Sequence, residues 1–269
     1  MSEHLRCETC GGSVVYDVTV AGAACLFCGD VALTAVPAEE IVPEPVAALP
    51  FVVDTGTVDG QYRAWARRSW FYPKALRTLS VHLHPMFLPA WRFDSDVETH
   101  WAGLRKSAQT NSGKSPVAGE NTLFMRHMVP ASAGLSQSEL IALMPFDERT
   151  AAVWNPDEQH VPWEPPALSE HAARISAHEQ MAAGHGQKIA VNERLLSYRI
   201  SPVVHDRDVA LLMLPIYIGV FRFRDRPWRF VVNAQSGEMN GEAPIDRLKI
   251  ALIALSVAAL AALVAVLVT

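Results

Sequence analysis

The chain has 269 residues, with 23 Lys and Arg against 28 Asp and Glu, a formal net charge of −5. Apolar residues make up 50% and charged residues 19%, which excludes a disordered chain, because disorder needs low hydrophobicity and high net charge. The acidic balance argues against a generic nucleic-acid binder, and the length allows one large domain or two smaller ones.

All four cysteines fall at the N-terminus, as Cys7-Glu8-Thr9-Cys10-Gly11-Gly12 and Cys25-Leu26-Phe27-Cys28-Gly29. Two Cys-x2-Cys knuckles with 14 residues between them have the spacing of a tetrahedral zinc site. The glycine after each pair lets the backbone turn tightly around a metal. Ser13 to Val18 between the knuckles reads as a strand. Residues 1–34 are therefore expected to form a four-cysteine zinc ribbon, with Cys7, Cys10, Cys25 and Cys28 as ligands. Four thiolates leave no open coordination position, so the zinc is expected to be structural. In residues 1–30 Arg6 is the lone Lys or Arg, against Glu3, Glu8, Asp17 and Asp30. Such a module is poorly placed to neutralise phosphates, and protein contact or a pure folding role fits it better.

Residues 35–50 contain Pro37, Pro43, Pro45 and Pro50 with Glu39, Glu40 and Glu44. That composition predicts a semi-rigid linker, with the ribbon free to move relative to the rest of the chain. A cytoplasmic α+β domain is expected over 51–246. Val58, Tyr62, Trp65 and Ala66 lie at helical spacing behind Thr57 as an N-cap. The same helix and its exit carry Arg63, Arg67, Arg68, Lys74 and Arg77 among Trp70, Phe71 and Tyr72. This stretch reads either as a solvated face over an aromatic core or as a contact for anionic lipid or an acidic partner. A strand is predicted from Met86 to Asp94, continuing to Trp101. A polar loop over 105–121 and a strand from Thr122 to Val129 come next. Helices are predicted from Ser136 to Leu143 and from Ser169 to Ala183. The last third reads as strands over 190–201, 209–223 and 228–233, in a mixed or antiparallel sheet. Leu88-Pro89-Ala90-Trp91 is echoed by Leu214-Pro215-Ile216-Tyr217.

From Ile250 to Val268 no residue is charged. As a helix those residues would be about 28 Å long, against a hydrocarbon core of roughly 30 Å. A single transmembrane helix over 249–269 is expected. Arg247 and Lys249 precede it, placing the body in the cytoplasm, on the inner membrane. Ala254, Ala258 and Ala262 would offer a small-residue face for helix pairing and a homo-oligomer.

Several catalytic patterns fail on their flanks or residue types. Ala108 to Ser115 resembles a phosphate loop but lacks the preceding buried strand and following helix. His82 and His84 share a strand face, and His171 and His178 a helix face, without a zinc-protease pair. No catalytic residue, organic cofactor or enzymatic activity is expected.

The layout resembles a bacterial family of zinc-ribbon proteins with a C-terminal membrane anchor. The resemblance rests on the paired knuckles, on Leu88-Pro89-Ala90-Trp91-Arg92-Phe93-Asp94, on Met144-Pro145-Phe146-Asp147 and on Val232 to Glu238. Such proteins carry the labels TFIIB-type zinc ribbon or primosomal protein N′-like. The second would imply nucleotide motifs that this chain lacks. Some similar proteins accompany phage-tail-like contractile injection systems. The span, the spacer and the metal-stapled module fit a membrane-tethered, non-catalytic adaptor whose cytoplasmic body binds a protein partner or large assembly, and the resemblance alone suggests a contractile injection particle as that assembly. Two alternatives remain open: a membrane-bound nucleic-acid binder acting through the ribbon and the Arg63–Arg77 stretch, and an enzyme with an unrecognised site in the central sheet.

Overall fold

The computed structural model describes residues 2–17, 24–36, 44–79, 81–107, 113–158, 160–224 and 226–268. In chain order the elements are β1 (Ser2–Cys7), β2 (Ser13–Asp17), β3 (Leu33–Ala35), β4 (Ala47–Ala48), α1 (Thr55–Trp65), β5 (His82–Lys106), β6 (Lys114–Pro130) and α2 (Gln137–Leu143). They continue as β7 (Ala152–Val153), α3 (Glu170–Asn192), β8 (Leu195–Phe223), β9 (Arg226–Asn233), β10 (Met239–Gly241) and α4 (Arg247–Val268). The fold is α+β, with a small sheet in the order β2-β1-β3 and a large one centred on β8.

The large sheet is mixed. β8 pairs antiparallel with β5 along one edge, and β5 pairs with β6. Along its other edge β8 meets β9 antiparallel and β4 parallel. The pattern of β8 explains its two halves. Residues 200–207 alternate between half-buried and exposed positions, as a strand with one solvated face does. Ala210 to Gly219 are all buried, and that run is continuously apolar but for Pro215 and Gly219, because layers cover both faces. On one face Leu212, Leu214, Ile216 and Ile218 pack with α2 and the small sheet. On the other, Leu211 lies under α3, and Tyr217 and Phe221 lie under α1.

Several elements depart from expectation. α1 is capped by Asp54, which accepts from Thr57 N at 2.7 Å, so Thr57 is the receiver of the cap. The expected polar loop over 105–121 is largely strand. β6 begins at Lys114, and its register holds from Lys106↔Lys114 to Ala90↔Pro130. Hairpin pairing overrides weak strand formers such as Gly119 and Asn121. α3 runs past Ala183 through Gly184 and Gly186 to Asn192. A Cβ on Gly186 would sit 2.7 Å from Ile200 Cδ1, so that glycine allows close helix–sheet approach. Leu195 to Phe223 form one strand, not two. α2 and α3 start where the sequence predicts helices, α2 on a capping box of Ser136 and Glu139 and α3 behind Ser169, which accepts from Ala172 N. The two Leu-Pro segments are antiparallel neighbours, with Leu88 opposite Leu214.

The ribbon does not stand apart from the sheet. Cys7, Val14, Cys25, Leu26 and Phe27 share a core with Leu88, Leu143 and Leu214. Val15 of β2 exchanges backbone hydrogen bonds with Trp163. Within the expected linker, residues 37–43 lie outside the described residues. From 44 onward the segment is tied down: Val46 N donates to Leu211 O and Leu49 N to Met213 O.

The terminal span requires correction. Among the described residues, no helix is long and apolar enough to cross a membrane. Lys249, in the first turn of α4, is held to the body, donating to Trp70 O at 2.6 Å and Tyr72 O at 2.8 Å. The transmembrane helix over 249–269, the bilayer as partner, single-pass anchoring in the inner membrane and an oligomer through a membrane helix are therefore set aside. The cytoplasmic placement of the body rested on that span and is set aside with it. Ala254 and Ala258 are exposed on α4, and the side chain of Ala262 lies outside the described residues.

Candidate metal centre

The two knuckles are built alike. After β1, Gly11 N donates to Cys7 O at 2.9 Å, with φ +75° at Gly11. In the second, Gly29 N donates to Cys25 O at 2.8 Å, with φ +73° at Gly29. Each glycine takes the left-handed conformation that other residues avoid, as the spacing predicts. The turns aim all four thiols at one point, with the sulfurs within 4.8 Å of one another. Cys7 Sγ lies 3.7 Å from Cys28 Sγ, and Cys10 Sγ lies 3.7 Å from Cys25 Sγ. A disulfide would bring two sulfurs to about 2.05 Å. A tetrahedral metal with bonds of about 2.3 Å sets sulfurs about 3.8 Å apart. The four cysteines thus fit a metal and not two disulfides.

The environment of the thiols differs. Burial pushes Cys28 up to about 11 and Cys25 higher still. At Cys7 burial acts in the same direction, but the N–H groups of Cys10 and Thr9 outweigh it and bring the thiol down to about 7. A metal entering this site must displace protons from the buried pair.

Phe27, between two of the ligands, docks the centre onto the sheet. Its ring is 2% exposed and fills a slot between Gly12 and Gly134; a Cβ on either glycine would overlap the ring. The loop bearing Gly134 is held in turn by Glu164, which is fully buried. Its carboxylate accepts from Ser132 Oγ and, at 2.9 Å, from Ala133 N. Burial raises Glu164 to about 7, opposed by Ser132, the Ala133 and Gly134 N–H groups and Arg229. Neither Phe27 nor Glu164 was legible as a site residue, since both act through partners remote in sequence.

The basic stretch lies on the surface. Arg63 pairs with Asp59 at 2.9 Å. Arg67, Arg68, Lys74 and Arg77 are exposed and make no ion pair among the described residues. Trp70 is 60% and Phe71 41% exposed, their rings edge to face at 5.6 Å. Lys249 Nζ lies 5.2 Å from the Trp70 ring centroid.

The histidines disperse. His178 bonds Asp206 at 2.9 Å beside Arg174, and His171 is exposed. His82 and His84 line a cavity, where burial and then the His82 charge hold His84 below the ordinary imidazole value. The phosphate-loop look-alike falls at a hairpin: residues 108–112 lie outside the described residues, and Gly113 leads into β6 rather than a helix. An exposed group unforeseen in the sequence joins Glu98, His100 and Glu120 within 4.8 Å. Glu98 and His100 share a face by alternation, but Glu120 arrives only through the β5–β6 register.

No family model matches this chain, and no curated protein or solved structure matches it either.

Proposed function

We propose that the chain is a non-catalytic docking protein, an α+β body stapled by one structural zinc that binds an acidic face of a protein partner or assembly. The four-thiolate set and its tetrahedral sulfur spacing support zinc in a closed shell. The observation that carries the docking reading is the Arg63–Arg77 stretch. Arg67, Arg68, Lys74 and Arg77 are exposed there, without an ion pair among the described residues, around exposed Trp70 and Phe71 on a chain of net charge −5. Elsewhere Arg92, Arg126, Arg174, Arg207 and Arg229 are each satisfied by a carboxylate. Arg and Trp are the side chains that most often anchor protein interfaces. The resemblance noted in the sequence adds a contractile injection particle as one such assembly.

The test is affinity capture with the full chain and with a variant carrying Arg67→Glu, Arg68→Glu and Arg77→Glu. Captured acidic partners should fall more than tenfold with the variant, at unchanged metal content and melting temperature. An unchanged set of partners would refute the docking surface. The same patch also suits a nucleic-acid backbone. That second reading predicts oligonucleotide binding that weakens steeply and log-linearly with salt, and the acidic ribbon speaks against it.

A further inference from the structure

The ribbon and the sheet border an open cavity of about 700 Å³ beside the metal centre, within the range of small-molecule sites, roughly 300–1,000 Å³. Its walls are mostly apolar, with Leu26 of the second knuckle facing Pro85, Pro162, Val220 and Phe221. Four nitrogen-bearing side chains also line it: His82 and His84 from β5, His160 from the segment before Trp163, and Arg222 from β8. None of the four makes a hydrogen bond or an ion pair with the described residues. The carboxylate that influences Arg222 is Asp30, which is already engaged by Thr9 Oγ1 at 2.8 Å and Val31 N at 2.7 Å. Asp30 lines the same cavity, so the chamber offers apolar walls, one cation, one carboxylate and three imidazoles that have no partner among the described residues, a set complementary to a particular chemistry.

We propose that this cavity binds a small organic carboxylate, its apolar body against Leu26, Pro85, Val220 and Phe221 and its carboxylate beside Arg222. His82, His84 and His160 supply further donors, since a neutral imidazole carries one N–H. Arg222 is the single Lys or Arg in the lining, facing Asp30, so the polar end has room for one carboxylate and not for a dianion. A phosphate dianion is usually received by a helix N-terminus or a run of backbone N–H groups, and none of the lining residues belongs to a helix. The site shares no lining residue with the Arg63–Arg77 surface and does not depend on the docking reading.

Calorimetric titration of the metal-loaded full chain with 2-naphthoate, and with neutral 2-naphthamide, tests this. The expected result is saturable one-to-one binding of 2-naphthoate, with the amide on the order of tenfold weaker, as loss of a charge-assisted pair implies. Arg222→Met should weaken 2-naphthoate by a similar factor and leave the amide unchanged. Val31→Trp, at an exposed cavity-lining position, should block both probes. Neither Arg222 nor Val31 is in the core, so both variants should keep the wild-type melting temperature. Equal affinity for acid and amide, indifference to Arg222→Met, binding that survives Val31→Trp, or no binding at millimolar probe would each overturn the proposal.

Discussion

Replacing Phe27 with alanine should separate the roles of the metal ligands and of the side chain that seats them. The ring is 2% exposed, and it is wedged between Gly12 on the ribbon and Gly134 on the body. A buried phenyl ring removes about 150–250 Å² from water. At about 25 cal/mol per Å² that is roughly 4–6 kcal/mol. Phe-to-Ala changes in cores cost about 3–5 kcal/mol: alanine still buries its own methyl group, and the cavity left behind adds to the lost transfer free energy. A loss of about 4 kcal/mol is therefore expected in denaturant unfolding at fixed zinc concentration. Metal content should be unchanged, since all four thiols remain and the Phe27 N–H still faces Cys25 Sγ, at 3.4 Å. Gly134→Ala attacks the same contact from the body side and should also destabilise. A loss below about 1 kcal/mol for Phe27→Ala, with metal retained, would show that the ribbon is not seated through this ring.

Elemental analysis should find one zinc per chain, lost when Cys7 and Cys25 are both replaced by alanine. Chelation should lower the melting temperature of the whole body, because Cys7 and Cys25 share a core with Leu88 and Leu214; an unchanged body transition would refute a shared core. Metal affinity should rise with pH, as the buried thiols Cys25 and Cys28 lose their protons more readily. Glu164 gives an opposite pH signature in stability. Its folded value, about 7, lies above the ordinary carboxyl value of 4.5, so between these the native state binds more protons than the unfolded chain. Its contribution is fully present below pH about 4.5 and is lost as pH rises to about 7, by up to about 3 kcal/mol. Glu164→Gln should remove this slope; a wild-type minus variant difference that stays flat from pH about 4.5 to about 7 would contradict the assignment.

The sequence by itself determined what depends on neighbours along the chain. Knuckle spacing and the glycines after each Cys pair specify a four-thiol cluster, because a metal knuckle is a local turn. The helix starts at Ser136 and Ser169 and the apolar run of β8 were legible for the same reason: helix starts and strand burial are written within a few residues. Tertiary structure decided the rest. β6 exists because β5 offers it a continuous edge, which the weak strand formers over 114–121 do not announce. Gly184 and Gly186 stay helical because α3 packs against the sheet. Terminal hydrophobicity over 250–268 suggested a span that the described helix does not support. The seating of Phe27, the buried Glu164 and the cavity lined by His84, His160 and Arg222 each join segments far apart in the chain. Those arrangements are set by packing between layers, and no local pattern encodes which distant residue a side chain will meet.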